Sequence, residues 1–336
     1  MKIKYFTLIH DYTYIIVSCL LLLCMVPAGC SLLPGKPLVQ AVSVGFCIDI
    51  LGLEEPVFTK PFLTALHTLE KKRRIRLAIQ TSHFASEYKS ALENLARQNQ
   101  VVFCGPLFSR FIMQVAKEFP ETYFVLMQAI PEDVLTISAT VPNLQWILYR
   151  KEDIAFLMGQ IGSYFPKKAS YWLVTDLPSK NPIRLYEETA FTKGLQSSAI
   201  TPSTLEWPIQ KDSFEQVDFA SPNQTVSIFC VTEGAYVPAF LEWVSALPGE
   251  NHYLLLPDDA WNQVHSLPIL GSVLKVYTVP LKNIIQQVSS GSWQAGLHYM
   301  TIKNGGFLVR LPASFWEPSL KKEIESTLNF AYDPEK

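Results

Sequence analysis

The chain has 336 residues, with 28 basic and 30 acidic side chains and a formal charge of −2, so it has no basic field of the kind that binds nucleic acid. At typical domain sizes of about 100 to 200 residues this length predicts two lobes, and 49% apolar residues allow each a core. Six cysteines and six histidines are scattered without two-ligand spacing near carboxylates, so no metal site and no cofactor are expected.

The first element is a leader. Lys2 and Lys4 precede an apolar segment from Ile15 to Val26, shorter than the roughly 20 residues a spanning helix needs. The segment runs into Val26-Pro27-Ala28-Gly29-Cys30, a cysteine directly after two small residues. This reads as a lipoprotein signal peptide over 1–29, with lipidation at Cys30 by acyl chains of the palmitate type. At about 0.8 kcal/mol per buried CH₂, two or more chains hold a soluble domain on a lipid membrane. The expected location is a bacterial cell membrane, lipid-anchored, facing the periplasm or the exterior. Pro27 stands where such a signal usually has Leu, and the competing reading is a plain secretory signal with a coincidental cysteine.

Beyond the leader, AVSVGFCIDI from Ala41 is a continuous apolar run followed by a Gly and acidic turn, then Phe62 to Leu69 at helical spacing. The strand and helix pattern repeats with Ile75 to Ile79 and Glu87 to Arg97, Val101 to Cys104 and Phe108 to Glu118, then Tyr123 to Met127 and a polar break. Between the first two units, Lys71-Lys72-Arg73-Arg74-Ile75-Arg76 reads as a helix C-terminus whose cations complement the helix dipole. The alternation resumes with helices at Asp153 to Tyr164, Tyr186 to Ser197 and Val237 to Ser245. Strands at Tyr171 to Thr175, Val226 to Val231 and Tyr253 to Leu256 stand between them. Continuous apolar strands alternating with amphipathic helices indicate parallel sheets covered on both faces, and two successive sets indicate two doubly wound α/β lobes. Cys47, Cys104 and Cys230 lie in apolar runs and are expected as small buried strand residues, with a Cys47 to Cys104 bridge as the alternative.

No GxSxG, GxxxxGK[ST] or GxGxxG motif is present, and no local Cys/His or Ser/His pair suggests a nucleophile, so no catalytic residue is assigned and a binding protein rather than an enzyme is expected. Open α/β sheets bind ligands beyond the carboxyl ends of their strands. The residues there are Asp49, Glu54, Glu55 and Phe58, then Gly105-Pro106, then Glu233-Gly234 with Tyr236, then Asp258-Asp259, with Trp261 read as core. Carboxylates beside aromatics suit a flat polyhydroxylated ligand such as a purine nucleoside, the rings holding a base face and the acceptors adjacent hydroxyls. The competing role for any one carboxylate is a helix N-cap.

At these positions the chain resembles the basic membrane protein (BMP) family of bacterial lipoproteins, purine nucleoside receptors that serve as substrate-binding proteins of ABC transporters. The likeness runs from about Val44 to Phe307. Val44-Gly45-Phe46-Cys47-Ile48-Asp49 keeps the aspartate that ends the family's first strand, and Phe58 keeps the Phe of its Asp-x-Ser-Phe-Asn segment, with Glu55 at the Asp. Val115-Ala116-Lys117-Glu118-Phe119-Pro120, Pro142-Asn143, and Glu152-Asp153-Ile154-Ala155-Phe156-Leu157-Met158-Gly159 are similar to further family signatures, the last being the most specific. Pro257-Asp258-Asp259, Ser272-Val273-Leu274-Lys275 and Gly305-Gly306 are similar to its Val-Asp-x-Asp, Ser-Val-x-Lys and late Gly turn. Two turns depart: the family's Gly-Phe is Gly105-Pro106, and its Gly-Gly-Thr-Gly is Glu233-Gly234-Ala235-Tyr236.

The resemblance implies a two-lobed, periplasmic-binding-protein-like (type I) fold, each lobe a doubly wound, mostly parallel sheet. The expected division is 39–145 plus about 272–292 for lobe 1 and 146–271 plus about 293–330 for lobe 2. The implied ligand residues are Asp49, Glu55, Phe58, Gly234, Tyr236, Asp258 and Lys275. Phe58 and Tyr236 would lie on the ring, Glu55 on polar base edges, and Asp258 with Lys275 on the hydroxyls. The implied partners are a nucleoside-like solute and an ABC permease. A surface interaction lipoprotein that kept the fold but lost or changed its ligand remains as the alternative.

Overall fold

Each run of apolar residues that begins a repeat becomes a strand, buried in every case but the edge strand over Ile75–Thr81. The computed structural model describes residues 41–55, 57–129, 141–165, 169–175, 181–195, 202–207, 226–232, 237–247, 252–257 and 268–329. In the first half these form β1 (Val42–Ile48), α1 (Thr59–Lys71), β2 (Ile75–Thr81), α2 (Tyr88–Ala96), β3 (Val101–Cys104), α3 (Ser109–Glu118), β4 (Tyr123–Met127) and β5 (Leu144–Tyr149). The chain continues with α4 (Lys151–Ser163), β6 (Ser170–Thr175), α5 (Pro182–Gly194), β7 (Ser203–Glu206), β8 (Ser227–Val231), α6 (Val237–Ser245), β9 (His252–Leu256) and β10 (Ile269–Lys275). It closes with α7 (Thr278–Ser290), β11 (Gly296–Met300), β12 (Phe307–Arg310) and α8 (Pro318–Leu328).

Two six-stranded sheets result, ordered β11-β5-β4-β3-β1-β2 and β12-β10-β9-β8-β6-β7. The first is parallel throughout and the second is parallel except for β12. This is the expected pair of doubly wound lobes. β3 is buried at all four residues and β8 at all five, as strands covered on both faces must be. Cys47 and Cys104 stand opposite each other in the β1 and β3 register, but both are free thiols, as is Cys230. Burial pushes all three well above the usual thiol range.

The basic run does more than end a helix. Arg73 takes a left-handed φ of 53° while the Arg73 N–H donates to Glu70 O and the Arg74 N–H to Leu69 O. That pair of bonds is a Schellman stop, so the run closes α1 at its left-handed residue and starts β2 two residues later.

Sheet membership corrects the expected segment boundaries. Ile269–Lys275 pairs in the second sheet and Gly296–Met300 in the first, so the chain crosses between lobes at 150, at 276–277 and at 301–306 rather than near 272 and 293. The three crossings are bonded to one another. The Tyr149 hydroxyl donates to Val276 O (3.0 Å), the Arg150 N–H to Met300 O (3.1 Å), and the Val276 N–H to Gly306 O (2.9 Å). In the third crossing Gly305 has φ 75°, a left-handed conformation glycine adopts without strain. A methyl on Gly306 would lie 2.9 Å from the Thr301 amide nitrogen.

Candidate functional site

Asp49 follows directly on β1, buried, with Oδ1 accepting the Leu51 N–H at 3.0 Å. Desolvation raises its carboxyl above the usual range; the bond from Leu51 opposes the shift, and the charge of Glu55 adds to it. A Cβ at Gly105 would lie 2.7 Å from Phe58 Cε1 and 3.7 Å from Asp49 Oδ2, so Gly105 lets β3 end close against both residues. The structure thus brings Asp49, Phe58 and Gly105 together at the carboxyl edge of the first sheet.

Glu55 takes the competing role. Its carboxylate accepts the N–H groups of Val57 (2.8 Å), Phe58 (2.8 Å) and Thr59 (2.7 Å), filling the open start of α1. Phe58 is only 6% exposed; it stacks on Phe62 with ring centroids 5.2 Å apart and meets Tyr277 edge-on at 5.8 Å. Its ring is therefore core in this state.

Lys275, the last residue of β10, donates to Gln128 Oε1 at 2.7 Å and stands 6.0 Å from the centroid of the Tyr149 ring, within cation–π range. Gln128 follows β4 with a left-handed φ of 61°, which is uncommon for a residue with a Cβ and clusters at functional sites. Gln128 Nε2 donates to the Tyr277 hydroxyl (2.5 Å), which donates to Val57 O (3.2 Å). One hydrogen-bonded line thus runs from β10 of the second lobe through the second crossing to the start of α1 in the first.

Around this line lies a cavity of about 410 Å³, within the range of small-ligand sites. Gln128, Tyr149 and Tyr299 of the first lobe form one wall, and Ile183, Tyr186 and Lys275 of the second lobe the other. Arg150, Lys151 and Glu152 close it at the first crossing. Of the described residues assigned from sequence, Lys275 alone lines it; Phe58 meets Tyr277 edge-on, and Glu55 accepts the N–H of Val57, whose carbonyl takes the Tyr277 hydroxyl. Gly234, Tyr236, Asp258 and Cys30 lie outside the described residues.

Gln128, Tyr149, Arg150 and Tyr277 were not anticipated. The same strand-end rule applied to β4 points to Gln128, and it would have pointed to Arg150 had β5 been recognised; Tyr277 is two residues beyond Lys275. Among the described residues no group of His, Cys, Asp and Glu is placed to hold a metal ion. No helix among them is long and apolar enough to cross a membrane.

Two doubly wound lobes joined by three crossings, with a cavity between the carboxyl ends of their strands, define the periplasmic-binding-protein-like type I fold. Residues 46–199 match the Bmp family model, described as ABC transporter substrate-binding protein PnrA-like, in agreement with the resemblance to the basic membrane protein family. The match supports a solute-binding role.

Solved structures agree on the fold. A solute-binding protein of an ABC transporter system from Conexibacter woesei DSM 14684 is 15% identical with a TM-score of 0.61, covering 86% of this chain and 95% of its own. One from Aeropyrum pernix K1 is 16% identical with a TM-score of 0.55, covering 88% and 87%. A transcriptional activator of the comK gene from Bacillus halodurans is 11% identical with a TM-score of 0.63, covering 87% and 99%. No curated protein matches the chain.

Proposed function

We propose that the protein is the solute-binding lipoprotein of an ABC-type uptake system, taking a purine nucleoside or similar solute between its lobes and passing it to a permease. The observation that carries this reading is the cavity at the strand ends, walled by both lobes and lined by tyrosines and Lys275. A ligand touching both walls favours the closed arrangement by its contacts to the second wall, and a permease can sense that difference. Asp49, Gly234, Tyr236 and Asp258 remain proposed ligand residues, and Phe58 joins them only if closure or a ligand uncovers its ring. Covalent chemistry has no part in this role.

Titration of the purified protein with nucleosides tests the solute. A ligand bound only by the folded state stabilises it by RT ln(1 + [L]/Kd), about 2.7 kcal/mol at a hundredfold excess over Kd. Purine nucleosides are expected to raise the melting temperature more than pyrimidines, which offer a smaller stacking face, and Asp258→Ala is expected to weaken binding roughly tenfold or more. A rise with sugars or amino acids and none with any nucleoside would refute the ligand and leave the fold.

The anchor rests on Cys30 behind Ala28-Gly29. Cys30→Ala is expected to abolish incorporation of labelled fatty acid; equal labelling of the variant would remove the anchor from the proposal. A second reading, a surface interaction protein that kept the fold without the solute, is favoured by the packed Phe58 ring and the engaged Glu55 carboxylate. It predicts no thermal shift with any small solute.

A further inference from the structure

Gln128 holds a backbone conformation that its neighbours must maintain. Its φ of 61° lies in the left-handed region, where a residue with a Cβ is uncommon and costs free energy that the surroundings have to offset. The Gln128 N–H donates to Ile147 O at 2.8 Å, which pins the end of β4 against β5. Glycine would take this backbone without strain, so what the position gains from glutamine lies in the side chain.

A carboxamide accepts through its oxygen and donates through its nitrogen at the same time. Gln128 uses both: Oε1 accepts from Lys275 Nζ at 2.7 Å, Nε2 donates to the Tyr277 hydroxyl, and that hydroxyl donates to Val57 O at 3.2 Å. Lys275 is 147 positions from Gln128 and Val57 is 220 from Tyr277, so tertiary contacts and not the local chain set these spacings. Tyr149 closes the circuit, its ring 6.0 Å from Lys275 Nζ and edge-on to Tyr277 at 5.6 Å. Gln128, Tyr149 and Lys275 of this circuit line the cavity. Its far end is Val57, whose N–H Glu55 holds and whose neighbour Phe58 packs on Tyr277.

We propose that Gln128 is a positioning residue of the cleft: its amide sets the Lys275 ammonium of the second lobe at a fixed spacing from the start of α1 in the first, so that a solute meets both walls already in register. This rests on the solute-binding reading of the cleft and adds the residue that aligns its two sides. Preorganisation of this kind raises affinity by sparing the solute the cost of ordering the site. Loss of the amide is therefore expected to weaken binding roughly fivefold or more, the factor that one net hydrogen bond contributes.

Two variants separate the amide from the backbone. Gln128→Met keeps a long side chain on the left-handed backbone and removes the amide, whereas Gln128→Gly removes the amide and also relieves the backbone. Calorimetric titration with adenosine is expected to show the same loss of affinity in both, while the glycine variant melts higher than the methionine one. A structural role alone would make affinity follow melting temperature, so glycine recovering adenosine binding along with its stability overturns the proposal. Wild-type affinity in either variant also overturns it and leaves the solute reading standing. Urea unfolding without solute gives the second measurement. Gln128→Met combined with Lys275→Met, and with Tyr277→Phe, should each cost less than the sum of the single changes, by roughly fivefold in the unfolding equilibrium constant. Additivity in either pair breaks the circuit and overturns the proposal. If adenosine binds no form of the protein, the nucleoside reading falls and the two pairs alone decide whether Gln128 holds Lys275 and Tyr277 together.

Discussion

Gly194→Ala is expected to lower the melting temperature by about 5 °C and to weaken solute binding, although the residue touches no part of the cavity. α4 and α5 cross with their backbones in contact. A methyl on Gly194 would lie 2.2 Å from Phe156 O and 3.0 Å from both Gln160 N and Gly159 Cα, while one on Gly159 would lie 2.4 Å from Phe191 O. Every one of these obstacles is backbone, so none can rotate away, and the helices must part by about 1 Å to restore ordinary contact. Overpacking of this kind costs about 1 to 3 kcal/mol, here at the upper end because the clash is rigid. Alanine returns up to about 1 kcal/mol in helix propensity, leaving about 2 kcal/mol, and each of these shifts a chain of this size by roughly 2 to 4 °C. The functional effect follows from what the helices carry: Lys151 and Glu152 open α4, and Ile183 and Tyr186 lie in the first turns of α5. Calorimetric melting with and without solute measures both effects. A variant that melts at or above the wild-type temperature would show that the helices are not in contact at this point. Gly159→Ala in the same background should add less than its own single effect, because the helices have already parted.

This contact explains a signature the sequence displayed without a reason. Glu152-Asp153-Ile154-Ala155-Phe156-Leu157-Met158-Gly159 stood out by resemblance. The structure supplies the physics: Gly159 for the helix contact, Glu152 on Arg150, and Asp153 Oδ2 accepting the Ile302 N–H (2.9 Å) across the third crossing. β1, β3 and β4 were legible because their apolar runs are unbroken, and β2 because apolar residues dominate Ile75 to Ile79 on either side of Arg76. β5 was not, because Gln145 interrupts it; that side chain is buried in the sheet, donating to Gln294 O at 3.1 Å. β10 was hidden by Gly271 and Ser272, where a Cβ at 271 would lie 2.8 Å from Leu311 Cδ2. β11 is an edge strand, exposed at Leu297 and Tyr299, and carries no buried pattern to read.

The site was legible only at the strand ends already recognised, and two of its assignments turned on facts of packing. Whether a carboxylate such as Glu55 meets a ligand or caps a helix depends on which backbone N–H groups face it, and spacing alone does not distinguish the two. Whether Phe58 offers a face depends on Phe62 and Tyr277, the latter more than two hundred residues away along the chain. Gln128 and Tyr277 become site residues only when both lobes are assembled.

The largest single effect is expected at Asn143. It is 5% exposed, and Nδ2 reaches three carbonyl oxygens, Ala116 O and Phe119 O at 2.9 Å and Thr122 O at 2.8 Å. The Asn143 carbonyl accepts the Phe124 N–H at 2.8 Å, so one residue fastens the end of α3, the turn before β4 and the entry to β5. Two N–H hydrogens serve three acceptors, and no other residue type of this size supplies two donors there. Phe119 O keeps the Thr122 N–H at 3.1 Å, so Asn143→Ala leaves Ala116 O and Thr122 O short of a donor in a buried place at about 1 to 3 kcal/mol for each, a total of about 3 kcal/mol or more. Because β5 delivers Tyr149 and Arg150 to the cavity, solute affinity should fall with stability.

Asn143→Asp separates hydrogen bonding from shape. The introduced carboxylate has only acceptors to offer three carbonyls, so at neutral pH it should destabilise more than alanine does. Protonation restores one donor, so the carboxyl has a folded pKa above its unfolded value of about 3.9. Its stabilising contribution is then fully present below about pH 4 and is lost as the pH rises through the folded value. Urea unfolding of wild type, Asn143→Ala and Asn143→Asp across this range isolates the effect, since the other titrating groups are common to all three. If the aspartate variant tracks the alanine variant at every pH, the three-carbonyl clasp does not hold this corner of the first lobe.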